Sequence, residues 1–201
     1  MDFKRNVLIT GGAGFIGSHV VRLFVTKYPE YHIINLDKLT YAGNLANLKD
    51  IEQAENYSFE RCDICDYEQV LAIFRKYRID GVIHLAAETG TGQSMYEIEK
   101  YTAVNIGGTS LMLDLLTNTK HSVEKVIVAA SRAIYGEGRY LSEEMGYVYP
   151  LSRADEDMRR ATSSASTPAA RSRYGWSGRP KTRRFTLRPS TASPSRCRNS
   201  S

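Results

Sequence analysis

Short apolar runs alternate with stretches of helical spacing along the first 130 residues. Residues 6–10, Asn-Val-Leu-Ile-Thr, form the first run and lead into a glycine-rich segment. Residues 18–27 then carry Val20, Val21, Leu23 and Phe24 at helical spacing. Residues 32–37 read as a second strand ending in an acid, and residues 57–60 as a third. Residues 67–77 predict an amphipathic helix with Val70, Leu71, Ile73 and Phe74 apolar. A fourth strand is expected at 81–85, one long helix at 96–119, and a fifth strand at 123–130 centred on Val126-Ile127-Val128. Strands that are apolar on both faces and separated by helices predict an α/β fold. Its sheet should be parallel, doubly wound and covered on both sides.

The pattern stops near Met158. Residues 161–201 are dominated by Ser, Thr, Ala, Pro and Arg, with Phe185 and Leu187 but no apolar period. Such a segment buries too little surface to offset its ordering entropy, so disorder is expected there. The expected organisation is therefore a domain over 1–158 and an Arg/Ser/Pro-rich tail over 159–201. The tail also changes the reading of charge. It holds ten arginines, one lysine and no acid, so a chain of net charge +5 leaves residues 1–158 at −6. The basic balance thus gives no support to nucleic-acid binding by the domain. No run approaches the roughly 20 apolar residues of a membrane span. No leader-like segment precedes the first strand, and three cysteines form no disulfide framework. A cytoplasmic protein with no membrane partner is expected.

Thr10-Gly11-Gly12-Ala13-Gly14-Phe15-Ile16-Gly17 follows the first strand directly and opens the first helix. Glycines at 11, 14 and 17 permit a tight turn, close approach to a diphosphate, and close packing of helix on strand. The helix N-terminus supplies free N–H groups and the positive end of its dipole. Asp37 lies 20 residues after Gly17, at the end of the second strand, where a carboxylate accepts from an adenosine ribose. A 2′-phosphate would meet negative charge there, so NAD is favoured over NADP, and Lys38 moderates that preference. Asp63-Ile64 would flank the adenine, and Leu85-Ala86-Ala87 offers small residues beside the cofactor. The alternative is a structural glycine turn without a ligand. The complete strand–glycine–helix–acid context argues against it and for a Rossmann-like domain.

These motifs, with His84-Leu85-Ala86-Ala87, Asn105 and Ser131…Tyr135-Gly136, resemble the extended short-chain dehydrogenase/reductase family of NAD-dependent nucleotide-sugar epimerases and dehydratases. The resemblance spans residues 5 to about 158 and changes along the chain. Up to residue 88, Asp37-Lys38-Leu39-Thr40-Tyr41-Ala42-Gly43-Asn44-Leu45 and Cys62-Asp63-Ile64-Cys65-Asp66 look like dTDP-glucose 4,6-dehydratases. From residue 84 to 158, Thr89-Gly90-Thr91-Gly92-Gln93-Ser94-Met95-Tyr96 and Ala130-Ser131-Arg132-Ala133-Ile134-Tyr135-Gly136 resemble UDP-glucose 4-epimerase-like enzymes. A recombinant with its seam near 84–88 is expected. The resemblance implies NAD as cofactor, Phe15 and Ile16 at its diphosphate, and a UDP- or dTDP-linked sugar as substrate near Glu88, Thr89 and Ser94. It also implies a homodimer, and a role for Asn105 in ordering the active site. The bland reading of Asn105 is a polar helix residue packed under the sheet.

Both activities begin with hydride transfer from sugar C4 to NAD. In this family a Tyr, four residues before a Lys, removes the C4 hydroxyl proton, and a Ser or Thr shares that hydrogen bond. Ser131 occupies the Ser/Thr position. The dehydratases also place an Asp-Glu pair where this chain has Arg132 and Ala133, which can serve neither as acid nor as carboxylate base. The second half thus favours epimerisation. No Tyr-x-x-x-Lys pair follows Ser131, since the lysine there is Lys181 with Ser177 four residues before it. Tyr149 and Arg153 have the spacing, but arginine does not reproduce lysine geometry and Pro150 opposes a helix start. Cys62-x-x-Cys65 lacks the second ligand pair of a zinc site, and His19, His32, His84 and His121 lie on separate elements. No metal is expected. Met95 and Tyr96 either touch the substrate or begin the long helix.

Two readings stand: an NAD-dependent enzyme by descent, or an NAD-binding remnant truncated before the sugar-nucleotide subdomain. An Arg-rich nucleic-acid arm ranks last, because no fold is expected of the tail. The tail suggests its own origin. One permitted codon set for residues 188–199, read from its third base, translates as Ser-Val-Tyr-Gly-Ile-Thr-Lys-Gln-Val-Gln-Glu, which restores the missing spacing. A frameshift near residues 159–161 is expected. One uninterrupted read of the encoding DNA checks both the seam and the shift. Codons for 188–199 that do not restore this helix in the shifted frame would end the second idea.

Overall fold

The computed structural model describes residues 3–131, 140–142 and 146–148. The chain divides into two units, residues 1–130 and residues 131–201. The first unit runs β1 (Arg5–Thr10), α1 (Phe15–Lys27), β2 (Tyr31–Asp37), a 3-10 turn (Leu45–Leu48), β3 (Tyr57–Arg61), α2 (Tyr67–Lys76) and β4 (Gly81–His84). It continues through α3 (Thr91–Ser94), α4 (Ile98–Thr102), a π-helical turn (Ala103–Gly108), α5 (Thr109–Asn118) and β5 (Lys125–Val128). The second unit contributes an antiparallel pair, β6 (Tyr140–Ser142) and β7 (Gly146–Val148). The expected boundary at 158, the expected disorder of the tail, Tyr149 and Arg153 lie outside the described residues, as do Arg132, Ala133, Tyr135 and Gly136.

All pairings in the five-stranded sheet are parallel, in the order β3-β2-β1-β4-β5. The chain builds outward from β1 to β3, then crosses back to lay β4 on the other side of β1. Doubly wound sheets open a crevice at that reversal, outside the carboxyl ends of the strands. This is the α/β Rossmann-like arrangement that the alternating pattern predicts.

Alternation along each strand divides the core in two. Leu8, Ile34, Leu36 and Val82 pack with Val70, Leu71 and Ile73 of α2 and with Met112 and Leu115 of α5. Val7, Ile9, Ile33 and Ile83 face the other way, onto Val21 and Val25 of α1 and onto Leu48 and Ile51. Val126 of β5 joins the first core, whereas Ile127 and Val128 are about half exposed, at 51% and 48%. β5 is also shorter than the expected 123–130. Its partner β4 offers only Gly81 to His84 for pairing.

The expected helix over 96–119 is interrupted. Residues 91–94 make a separate short turn, and helix resumes at Ile98 with a π turn at its centre. The side chain of Asn105, inside that turn, accepts the Glu88 N–H at 2.8 Å and donates to the Glu88 carbonyl at 3.1 Å. Apolar spacing cannot register a one-residue bulge, which is how a π turn arises within an α-helix.

A polar chain, buried at Thr10 and His84 and reaching the surface at Thr109, ties β1, β4 and α5 together. Thr10 Oγ1 accepts the N–H groups of Leu85 and Ala86 at 3.2 and 3.1 Å. Its own hydrogen goes to His84 Nδ1 at 2.8 Å. Nε2 of His84 therefore carries the ring proton and faces Thr109 Oγ1 at 3.2 Å, while the Thr109 hydroxyl donates to the Asn105 carbonyl at 2.8 Å. Burial holds the pKa of His84 below its ordinary value, and burial does the same to His32. A depressed imidazole pKa makes the unfolded chain the stronger proton binder once pH falls below about 6.5. Stability is then full above that value and declines below it. The melting temperature is expected to drop as pH is lowered from 7.5 to 5.5, less steeply in His32→Gln. A flat or rising profile across that window would contradict the neutral assignment.

Candidate functional site: a dinucleotide crevice

The crevice begins where β1 ends. Gly11 has φ +72°, and a Cβ there would stand 2.7 Å from the backbone N and Cα of Ala86. The turn therefore presses against the segment leaving β4, an approach only glycine permits. A Cβ on Gly17 would lie 2.0 Å from the Gly11 carbonyl, so the first turn of α1 is seated directly on the glycine turn. Gly14 has an ordinary φ of −73° and caps α1 without a side-chain hydrogen bond. No acid occupies the first turn. The leading N–H groups of this 13-residue helix are thus left to an anion, with Phe15 and Ile16 beside them 80% and 68% exposed. The sequence pattern assigned nothing to Gly12. A Cβ at Gly12 would fall 2.1 Å from Oδ1 of the buried Asn35, so this glycine serves the packing beneath the turn.

Asp37 is where the ribose acid should be, and its orientation is set by backbone. Oδ2 accepts the Ala13 N–H at 2.9 Å and Oδ1 the Leu39 N–H at 2.8 Å. Each carboxylate oxygen keeps a second lone pair, so both can still accept a hydroxyl. Next to it Lys38 Nζ lies 2.5 Å from Asp63 Oδ2. Asp63 is held below the usual carboxylate range by Lys38 and by the Cys65 N–H against the opposing effect of burial. Lys38, Leu39, Thr40, Cys62, Asp63 and Cys65 help line an open groove of about 810 Å³ at the carboxyl ends of β2 and β3. That volume accommodates an adenosine. Ile64 turns inward, 5% exposed, against Gly108.

On the other flank, Leu85 and Ala86 are held by Thr10, and Ala87 is exposed. Glu88 is buried, and its Oε2 makes no hydrogen bond while standing 3.5 Å from Lys100 Nζ. Thr89 is exposed and its carbonyl accepts two tyrosine hydroxyls, Tyr41 at 2.7 Å and Tyr101 at 3.1 Å. Ser94 is bonded within its own turn, to the Thr91 carbonyl at 2.9 Å. Ser131 opens the second unit. Tyr41 entered the sequence reading only as part of the 37–45 stretch, with no role of its own, and Lys100 and Tyr101 were not singled out, because isolated aromatic and basic residues carry no motif. Tyr96 and Lys100 do have a Tyr-x-x-x-Lys spacing, but Tyr96 is 86% exposed and Lys100 is paired with Glu97 and Glu88.

Comparison with known proteins follows the same geometry. The profile of the GDP-mannose 4,6 dehydratase family matches residues 8–152. The chain belongs to this family. It is 41% identical over 135 residues to a dTDP-D-glucose 4,6-dehydratase of Mus musculus, covering 67% of this chain and 38% of that protein. Against the dTDP-glucose 4,6-dehydratase of Salmonella typhimurium it is 47% identical over 109 residues, covering 54% of this chain and 30% of the relative. The chain therefore spans only 30 to 38% of these relatives' length. Among solved structures, the dTDP-glucose 4,6-dehydratase of Bacillus anthracis, in complex with NAD, superposes with a TM-score of 0.58 at 30% identity. That match covers 78% of this chain and 47% of the other. The UDP-Glc/GlcNAc 4-epimerase of Campylobacter jejuni gives 0.60 at 30% identity, covering 75% and 44%. Dehydratases and epimerases thus both stand among the relatives. No helix among the described residues is long and apolar enough to cross a membrane.

Two thiols at the groove differ in exposure, and burial raises the pKa of both. Burial, reinforced by nearby acids, pushes Cys62 up to about 12. Cys65 is exposed, with Sγ 3.5 Å from the Ala103 carbonyl. Alkylation of the folded chain at pH 8 is expected to label Cys65 well before Cys62, as read by peptide mass mapping. Equal rates at the two sites would show that the first core is open to reagent.

Proposed function

We propose that residues 1–130 bind NAD, in a chain descended from enzymes that oxidise C4 of a nucleotide-diphosphate sugar, with 4-epimerisation as the inherited reaction. The observation that carries the reading is the uncapped N-terminus of α1, seated by Gly11 and Gly17, with Asp37 bonded to the same turn at the end of β2. The donor set fits the cofactor. N–H groups at 15–17 would hold the diphosphate, Asp37 the adenosine ribose hydroxyls, and the groove beside Lys38 and Asp63 the adenine, with Ile64 packed inward instead of flanking the base. A 2′-phosphate would meet the Asp37 carboxylate, which disfavours NADP. NAD, when bound, supplies the acceptor for the sugar C4 hydride.

The residues available for the substrate are fewer. Glu88, Thr89 and Ser94 follow β4 on the flank facing away from the adenosine groove, and Ser131 would share a hydrogen bond with the C4 hydroxyl. Removing that proton needs a base, and a serine hydroxyl alone is a poor one at neutral pH. With no Tyr-x-x-x-Lys after Ser131, this 201-residue chain is expected to bind the dinucleotide and leave the sugar unreacted. Epimerisation is preferred to dehydration as the inherited chemistry because Arg132 and Ala133 replace the acid pair that expels water. The dehydratase reading keeps two observations in its favour, the family profile over residues 8–152 and the 41–47% identity to dehydratases.

Titration of the folded chain with NADH, followed by nucleotide fluorescence, checks the proposal. Saturable binding is expected, weaker for NADPH. Asp37→Ala should weaken NADH about 10- to 100-fold, the loss of one or two charge-assisted hydrogen bonds. No turnover of UDP-glucose or dTDP-glucose is expected with NAD present. Folded protein that shows no binding at millimolar NADH would overturn the assignment, and measurable turnover would overturn the claim of catalytic silence.

A further inference from the structure

The segment at residues 38–44 leaves β2 on one side of β1, and the segment at 85–90 leaves β4 on the other. The root of the first is pinned to the glycine turn through one residue. Ala13 gives its N–H to Asp37, and its carbonyl accepts the Asn44 N–H at 3.0 Å and Asn47 Nδ2 at 3.2 Å. Leu39, at φ +60°, turns the chain back over this anchor. From there the Tyr41 hydroxyl reaches the Thr89 carbonyl, 48 residues away in sequence, at 2.7 Å.

The acceptor end is built more rigidly than the donor end. Tyr101 of α4 is buried and donates to the same carbonyl at 3.1 Å. Gly90 has φ +142°, and a Cβ there would stand 2.8 Å from the Tyr101 hydroxyl, so the turn that presents Thr89 requires glycine. Lys100 Nζ sits 5.9 and 6.0 Å from the rings of Tyr41 and Tyr101. Tyr41, by contrast, is 67% exposed and belongs to neither core cluster. Its position is explained by the bond it makes and not by packing.

Because β1 lies between β2 and β4, the Tyr41–Thr89 bond joins the two banks of the crevice past the end of β1. We propose that Tyr41 is a latch for the dinucleotide: its hydroxyl holds residues 38–44 across the crevice, and a bound cofactor leaves when that bond to Thr89 opens. Tyr41 is a positioning residue in this role, acting through the loop that carries it. The latch rests on the NAD reading above.

The test is the dissociation rate of NADH from the whole 201-residue chain. It is followed by stopped-flow fluorescence on displacement with excess NAD, in the native protein and in Tyr41→Phe. Phenylalanine keeps the ring and its contact with Lys100 and removes only the hydroxyl. Dissociation is expected to quicken roughly 3- to 10-fold, the effect of one neutral hydrogen bond, with the association rate and melting temperature unchanged. An unchanged dissociation rate in a Tyr41→Phe protein that binds NADH overturns the latch and leaves the NAD assignment standing. Equal changes in association rate and melting temperature also overturn it, since they mark general loosening. Absence of NADH binding by the native chain overturns both.

Discussion

The contact on which the rest depends is the approach of the Gly11–Gly12 turn to two pieces of backbone, Ala86 beyond β4 and Gly17 in α1. At 2.0 to 2.9 Å from the nearest atoms, a methyl group at Gly11 or Gly17 has no room. Interiors at crystal-like density cannot absorb such an overlap without moving backbone. Removing the side chains here lets strand, turn and helix meet, and the same meeting brings the amide end of α1 to the mouth of the crevice. Packing and ligand geometry therefore share one cause.

Polar groups inside the sheet extend that constraint outward. Thr10 satisfies the N–H groups of the β4 exit, His84 satisfies Thr10, and Thr109 passes the chain of bonds to the backbone of the π turn. The π turn in turn presents Asn105 to the backbone of Glu88. Each buried donor has an acceptor, which is what makes a polar line through an apolar core tolerable. The segment at 85–90 is consequently set by β1 on one side and by the helix after it on the other. Glu88 is buried there with one oxygen lacking a hydrogen bond, and Thr89 is left with its carbonyl facing Tyr41 of the 38–44 segment and Tyr101 of α4.

The order of elements and the dinucleotide crevice were legible in the sequence because their signals are local. Apolar runs of four to six residues, a glycine spacing, and an acid at the end of the second strand all act within about thirty residues of one another. The helix after β4 was legible only in outline. Its break at residues 95–97 and its π turn follow from Tyr101 and Asn105 reaching back to Thr89 and Glu88, which no periodicity records. Tyr41 was passed over for a related reason. Its partner is a backbone carbonyl 48 residues away, and a carbonyl has no residue type by which to recognise it.

By itself the amino-acid sequence determined the α/β class, the glycine-lined turn, the acid at the end of β2 and the family likeness. It also determined that no Tyr-x-x-x-Lys follows Ser131. Those properties depend on residue identity at short range. Only the tertiary structure decided that Gly12 answers to Asn35, that Asn105 serves the backbone of Glu88, and that residues 38–44 are tied across the end of β1. Each of these is a meeting of groups from segments far apart in the chain, and the parallel sheet, by setting β1 between β2 and β4, is what brings the segments that leave those strands within bonding distance.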